Sequence, residues 1–234
     1  VFNRYELKYY LNEVQTAELA QRLCHVLKPD SNGDSNGEYK VNSLYFDSID
    51  DECLYQKQSG ILTRKKLRMR TYGSECGENV NFEIKHKHGQ RIYKEMVLLP
   101  RNSAELVCQG EYSHLLELNH PVLDQIYGWF LARTYQPKVI VGYTREAYVF
   151  PELDIRITLD KNLRSDINHV DFFSSIPGNM PVILEGKQIL EIKYNQYFPD
   201  YLKNLLSSVC AERMAISKYT LARRFHKLNK WEDN

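Results

Sequence analysis

The chemistry of this chain starts in one short segment. In Lys65–Tyr72 the even positions Lys66, Arg68 and Arg70 are cationic, while Leu67 and Met69 between them are apolar. Successive residues of a strand point to opposite faces, so the three cations share one face. The pattern recurs along the chain. Asn81, Glu83, Lys85 and Lys87 alternate with Val80, Phe82, Ile84 and His86, and Glu191 and Lys193 alternate with Leu190, Ile192 and Tyr194. Tyr143 and Arg145 share a face, as do Asp154, Arg156 and Thr158. Arginine presents a planar fork of donors that matches phosphate oxygens two at a time. Residues 61–101 hold ten Lys or Arg and four Asp or Glu, including Glu75, in a chain whose net charge is only +1. A solvated face in a near-neutral protein intersperses both signs. The segregation therefore predicts several charged faces curling round a shared cationic lumen. Cations so gathered repel one another when the lumen is empty, which implies a polyanionic ligand.

The elements that must position these residues are mostly strands. Val41–Ser48, Lys65–Tyr72, Val80–Lys87, Arg91–Leu99, Lys138–Phe150, Leu153–Asp160 and Val182–Tyr194 are rich in β-formers and bounded by turn residues. Helices are predicted in five places. Asn12 caps the first, whose apolar face is Leu19, Leu23, Val26 and Leu27. Ser103 opens a second that runs to Leu118, and Pro121 opens a third that runs to about Tyr135. The fourth starts at Pro199 and carries Leu202, Leu205, Leu206 and Val209. The last begins near Ser217 and ends on Arg223, Arg224 and Lys227, which suits a helix C-terminus. The turn-rich stretch Ser31–Glu38 separates a helix from a strand, not two domains, so residues 1–234 read as a single domain of the α+β class.

Composition narrows the function. With 43% hydrophobic and 26% charged residues in 234, the chain is globular in type, and no run nears the roughly 18 apolar residues that span a bilayer. The charge balance excludes a wholly polybasic nucleic-acid binder, and the 17 tyrosines read as packing residues. Cys24, Cys53, Cys76, Cys108 and Cys210 are widely spaced and odd in number, so neither zinc nor a disulfide framework is expected and a cytoplasmic setting is. There is no G-x-x-x-x-G-K-[ST] loop. His86 and His88 share the outer face with Phe82 and Ile84 and read as packing, not as metal ligands.

Eight segments in order carry a resemblance: RYELKYYL (4–11), SLYFDS (43–48), KLRMRTYG (66–73), FEIKHK (82–87), VGYTREAY (141–148), DIRITLD (154–160), LEIKY (190–194) and ISKYTLAR (216–223). Together they resemble the VTC domain, the catalytic domain of the vacuolar transporter chaperone polyphosphate polymerase and its bacterial relatives. That family belongs to the triphosphate tunnel metalloenzymes, the CYTH-like group. The resemblance implies an eight-stranded antiparallel β-barrel with a cationic lumen and surrounding helices. It implies transfer of the ATP γ-phosphate onto a growing polyphosphate chain with Mn²⁺ or Mg²⁺, and ATP and polyphosphate as the partners, with no nucleic acid and no membrane segment. By resemblance Lys8, Arg68, Arg70 and Lys218 are catalytic. Glu6, Lys85, Lys94, Tyr143, Arg145, Arg156, Lys193 and Ser217 bind substrate, and Glu191 holds the metal. One position departs from the pattern. The superfamily opens E-x-E-x-K, whereas Arg4 here gives R-x-E-x-K, one carboxylate fewer. This favours the polymerase branch over a triphosphatase, the alternative enzyme. A non-catalytic polyphosphate-binding module is the alternative from outside enzymology.

Overall fold

The structure is a computed structural model and describes residues 4–73, 77–89, 91–167, 172–173, 180–207, 209 and 212–232. Its strands are β1 (Tyr5–Leu11), β2 (Lys28–Pro29), β3 (Glu38–Asp47), β4 (Thr63–Tyr72), β5 (Asn79–His88), β6 (Arg91–Pro100), β7 (Gln136–Phe150), β8 (Ile155–Asp166) and β9 (Gln188–Tyr194). Eight of them pair in the order β1-β9-β8-β7-β3-β4-β5-β6, all antiparallel, and the short β2 adds to β7. The sheet curls until its edges meet. Arg4 at the start of β1 bridges Ile92 of β6, and Lys85 on β5 reaches across the seam to Glu6, 3.0 Å from Nζ to Oε1. This is the eight-stranded barrel expected from the sequence.

Register sorts the side chains. Arg68 lies opposite Glu83, Lys66 opposite Lys85 and Arg70 opposite Ser43, all facing the lumen. The alternate residues Leu67, Met69, Phe82 and Ile84 are fully buried on the outside of the barrel. There they pack against Leu123, Ile126 and Phe130 of α4 (Pro121–Arg133) and against Val107 of α3 (Arg101–Gln109). A second apolar layer sets Leu19 and Leu23 of α1 (Glu13–Leu23) and Leu202 and Leu206 of α5 (Asp200–Ser207) on Ile157, Leu190 and Ile192. Burying each such side chain contributes about 1.5–3 kcal/mol, so the helices hold the barrel wall from outside.

Asn12 caps α1 through Gln15 N at 2.8 Å, with Gln15 returning the bond, a full capping box. Several boundaries differ from expectation. Helix α1 stops at Leu23, which leaves Val26 beyond its end and exposed. The helix expected over Ser103–Leu118 starts at Arg101 and breaks at Gly110, whose φ of 93° suits a residue without Cβ. Only a 3-10 turn, Ser113–Leu118, follows. The strand expected from Val182 begins at Gln188, and Val182 makes only an isolated bridge to Arg164. Conversely β8 runs on to Asp166, through a register shift opposite Tyr143 where Asn162 takes φ 52°. Helix α2 (Glu52–Gln58) was not anticipated. Cys24, Cys53 and Cys108 are free thiols, while Cys76, Cys210 and Glu75 lie outside the described residues. Among the described residues no helix is long and apolar enough to cross a membrane.

Helix α6 (Lys218–Glu232) is tied to the barrel by two buried carboxylates, Asp160, which holds Lys218, and Asp47. Asp47, at the end of β3, accepts from Ser48 N at 2.9 Å, Cys53 N at 2.8 Å and Leu54 N at 3.1 Å, and its Oδ2 accepts from the Tyr219 hydroxyl at 2.5 Å. It thus holds the first turn of α2 and the first turn of α6 together. Replacing Asp47 by Ala orphans these buried donors. Urea denaturation is expected to show a loss of about 2–4 kcal/mol. An unchanged midpoint would contradict this anchoring.

Candidate functional site

The lumen is filled by charge in pairs. Glu83, fully buried, binds Arg68 (Nη2 to Oε2, 2.6 Å) and Lys94 (Nζ to Oε1, 2.9 Å). Asp160 binds Arg145 through two bonds of 2.6 and 2.9 Å, and Lys218 at 2.5 Å. Glu191 binds Lys8 at 3.0 Å and contacts Lys193, and Glu6 binds Lys85 at 3.0 Å with Lys8 at 3.6 Å. Glu6 also has Lys193 at 3.9 Å, so each carboxylate serves at least two cations. Burial works to raise the carboxyl pKa values, but the neighbouring cations overcome it. They hold Glu6 and Asp160 at about 2, and Glu83 and Glu191 also well below the usual range.

The remaining cations have weaker compensation. Arg70 is buried, and its partners among the described residues are neutral: Ser43 Oγ at 3.0 Å, the Tyr143 hydroxyl at 3.4 Å and Tyr72, whose ring centre lies 5.9 Å away. Lys66 donates to Ser217 Oγ at 2.7 Å and lies 5.5 Å from the Tyr219 ring centre. Burial, with Lys85 and Lys8 nearby, brings the Lys66 pKa down to about 7. Burial also lowers Lys85, to about 8. Arg156 donates to the Tyr39 hydroxyl at 2.8 Å and pairs with Asp30.

Two cavities open into this lumen from opposite ends of the cation row on β4. One, of about 910 Å³, is lined by Arg68, Arg70, Lys94, Arg145, Arg156 and Lys193, with Tyr39 and Tyr72 among its other walls. The other, of about 430 Å³, is lined by Lys8, Lys66 and Ser217, and by Lys57, Arg64, Lys87 and Arg213. Glu6, Lys85 and Ile92 line both and mark the neck between them. Such a lumen can hold a linear polyanion through its wider part and past the neck.

A family model of the VTC domain matches residues 3–226. The chain belongs to the VTC domain family. Solved structures share its fold at low identity. Hippeastrum HpAC1, reported as an adenylyl cyclase candidate with a dominant triphosphatase activity, superposes with a TM-score of 0.57 at 13% identity, covering 94% of this chain and 95% of that one. An adenylate cyclase candidate from Bacillus halodurans gives a TM-score of 0.53 at 14% identity, covering 92% and 93%. A comparison with curated proteins returned no match. These structures share the tunnel fold of the barrel, and the chain is a VTC-type tunnel protein with a cation-lined lumen.

The residues singled out in the sequence of this VTC domain come together with one qualification. Lys8, Glu6, Arg68, Arg70, Lys85, Lys94, Arg145, Arg156, Lys193 and Ser217 line one or both cavities. Lys218, Tyr143 and Glu191 line neither, and Glu191 is buried between Lys8 and Lys193. Lys218 is buried on Asp160, the carboxylate it shares with Arg145, and lies 4.8 Å from the Tyr143 ring centre. His86 stacks on Tyr93 at 4.1 Å beside Glu95, and His88 meets Thr63, both off the lumen. Among the described residues no cluster of three His, Cys, Asp or Glu side chains forms a ready metal cage. The donor set nevertheless fits a hard divalent ion in part. Glu191 and Glu6 share Lys8 and Lys193 as cationic partners, and one or two carboxylates completed by substrate oxygens and water suit Mg²⁺-type ions.

Asp160 was not flagged from the sequence, and Lys66 was seen only as part of the alternation. Lys66 sits in the same β4 row as Arg68 and Arg70, so that row carried its signal. Asp160 had none, since one acidic residue in an alternating strand looks like a solvated one. A polyanion entering the lumen restores the proton to Lys66 and Lys85. Tripolyphosphate binding should therefore be full below pH 7 and weaken as pH rises through 7 to 9. Calorimetry at pH 7.5 in buffers of different ionisation enthalpy should record uptake of about one proton. Lys66→Met should remove most of it, and uptake equal to wild type in that variant would contradict the assignment.

Proposed function

We propose that this VTC domain is a polyphosphate polymerase that transfers the ATP γ-phosphate to the end of a polyphosphate chain. The observation that carries the reading is the lumen with two mouths and cations on both sides of the neck. A linear product can thread away through the second cavity while its end stays at the neck. Arg68 and Arg70 would grip the donor phosphates, with Lys94, Arg145 and Arg156 along the same cavity. Lys8 and Lys85 would meet the transferring group at the neck, and Lys193 and Ser217 would flank it. A divalent ion, Mn²⁺ or Mg²⁺, held by Glu191 with Glu6 would neutralise charge on the phosphate oxygens. An acceptor phosphate oxygen attacks the γ-phosphorus in line as the bond to the ADP oxygen breaks. Neither reactant needs a protein nucleophile, so positioning and charge stabilisation suffice. Lys218 would act through Asp160, which it shares with Arg145, and through Tyr143.

A second reading has its own support. The Hippeastrum fold neighbour is reported with a dominant triphosphatase activity. In the same lumen, water in place of the acceptor phosphate would make this chain a triphosphatase. The purified protein with ATP and Mn²⁺ separates the readings. A ladder of polyphosphate on a stained gel is expected, reduced about 10²-fold or more in Arg68→Ala and in Glu191→Gln. Free phosphate without chains would establish the triphosphatase, and ATP left intact would establish a binding module. Lys218→Ala is expected to lower turnover with ATP binding retained; unchanged turnover would remove Lys218 from the reaction.

A further inference from the structure

The two mouths differ in more than size. The wide cavity is lined by tyrosine as well as by cations, whereas the second has lysines, arginines and the aliphatic Met214 and Ile216 but no aromatic side chain. The lumen-facing row of β4 continues past Lys66, Arg68 and Arg70 to Tyr72, the last residue of the strand. Tyr72 is 43% exposed at the wide mouth. Other tyrosines there already have parallel partners: Tyr5 stacks on Tyr194 at 5.3 Å and Tyr93 on His86 at 4.1 Å. Tyr72 meets only the tilted ring of Tyr39, at 6.1 Å and 56°, and the Arg70 guanidinium at 5.9 Å among the described ring contacts. Tyr39 is itself fixed by the Arg156 bond to its hydroxyl. Beyond Tyr72 the chain turns through Gly73, at φ 86°.

We propose that Tyr72 is the nucleobase-stacking residue of the tunnel, and that it makes the wide mouth the end at which a nucleoside triphosphate sits. The proposal rests on the reading of the lumen as a triphosphate site. Four residues of strand separate Tyr72 from Arg68, about 14 Å at ~3.4 Å per residue. An extended nucleotide whose base lies on Tyr72 thus places its phosphates along Arg70 and Arg68, with the terminal one towards the neck. Among the described residues the second mouth has no flat surface for a base. Nucleotide orientation is then set by aromatic contact at one end, and charge alone leaves it undetermined. Stacking contacts of this kind accept any base and favour larger ring systems, so purine nucleotides should bind ahead of pyrimidine ones.

Calorimetric titration with two probes tests this. One is a non-hydrolysable ATP analogue with an imido bridge between the β and γ phosphorus atoms. The other is tripolyphosphate, which has the charge but no base. Tyr72→Ala should weaken the analogue about tenfold and leave tripolyphosphate unchanged, and Tyr72→Phe should bind both as wild type does. Unchanged tripolyphosphate affinity also shows that the variant is folded. Equal weakening of both probes would mean that Tyr72 acts through Arg70, and no change in either would mean that the base lies elsewhere. Each overturns the stacking role while leaving the triphosphate site intact. Wild-type protein that binds neither probe would overturn the site itself.

Discussion

Like charge confined at low dielectric is the constraint on which this molecule depends. Arginines and lysines from seven lumen-facing strands are drawn inside one barrel, where burial opposes ionisation and each cation repels the next. Four carboxylates make the arrangement tolerable. Glu6, Glu83, Asp160 and Glu191 each take at least two cationic partners, and together they leave Arg70 and Lys66 facing neutral groups. The carboxylates keep the empty barrel folded, and the shortfall in negative charge makes it a receptor. Breaking one of these buried pairs by removing a single partner costs about 3–5 kcal/mol. The pairs therefore act as fixed points against which the under-compensated cations are oriented.

Everything outside the lumen follows from the same division. A strand that gives one face to charge must bury the other in apolar contact, and α1, α3, α4 and α5 supply that contact. Helix α6 is different. It begins with Lys218 on Asp160 and Tyr219 on Asp47, so its first turn is bound to two strands through polar groups. Ser217 just ahead of it accepts from Lys66. The last helix and the lumen are thereby one polar network, not a bundle laid on a barrel.

Much of this was legible because strand alternation has period two and survives in sequence. The segments KLRMR, FEIKHK and LEIKY announced an inward cationic face, and Asn12, Pro121 and Ser217 announced helix starts close to where they occur. What was not legible depends on partners distant in sequence. Asp160 and Asp47 matter through Lys218 and Tyr219, some sixty and more than a hundred and seventy positions away, and neither shows by its local pattern. Lys57 and Arg213 belong to the second mouth only because a helix and a loop meet there. Helix α2 is seven residues long, too short for its apolar spacing to stand out.

Among the described residues the seam between β1 and β6 joins two edges that share little backbone pairing: one bridge, Arg4 with Ile92, and the side-chain contact of Lys85 with Glu6. The other junctions along the sheet are ladders, two of them interrupted by a register shift. The hoop therefore has a clasp, and the clasp sits at the neck, made in part of the groups that an incoming anion competes for. An anion that draws Lys85 away from Glu6 loosens the fastening with one contact and replaces it with its own oxygens. The girth of the barrel is then shared property between protein and cargo. At this seam an occupied tunnel would be fastened partly by what it carries, and an empty one by the Lys85–Glu6 pair and the Arg4–Ile92 bridge among the described residues.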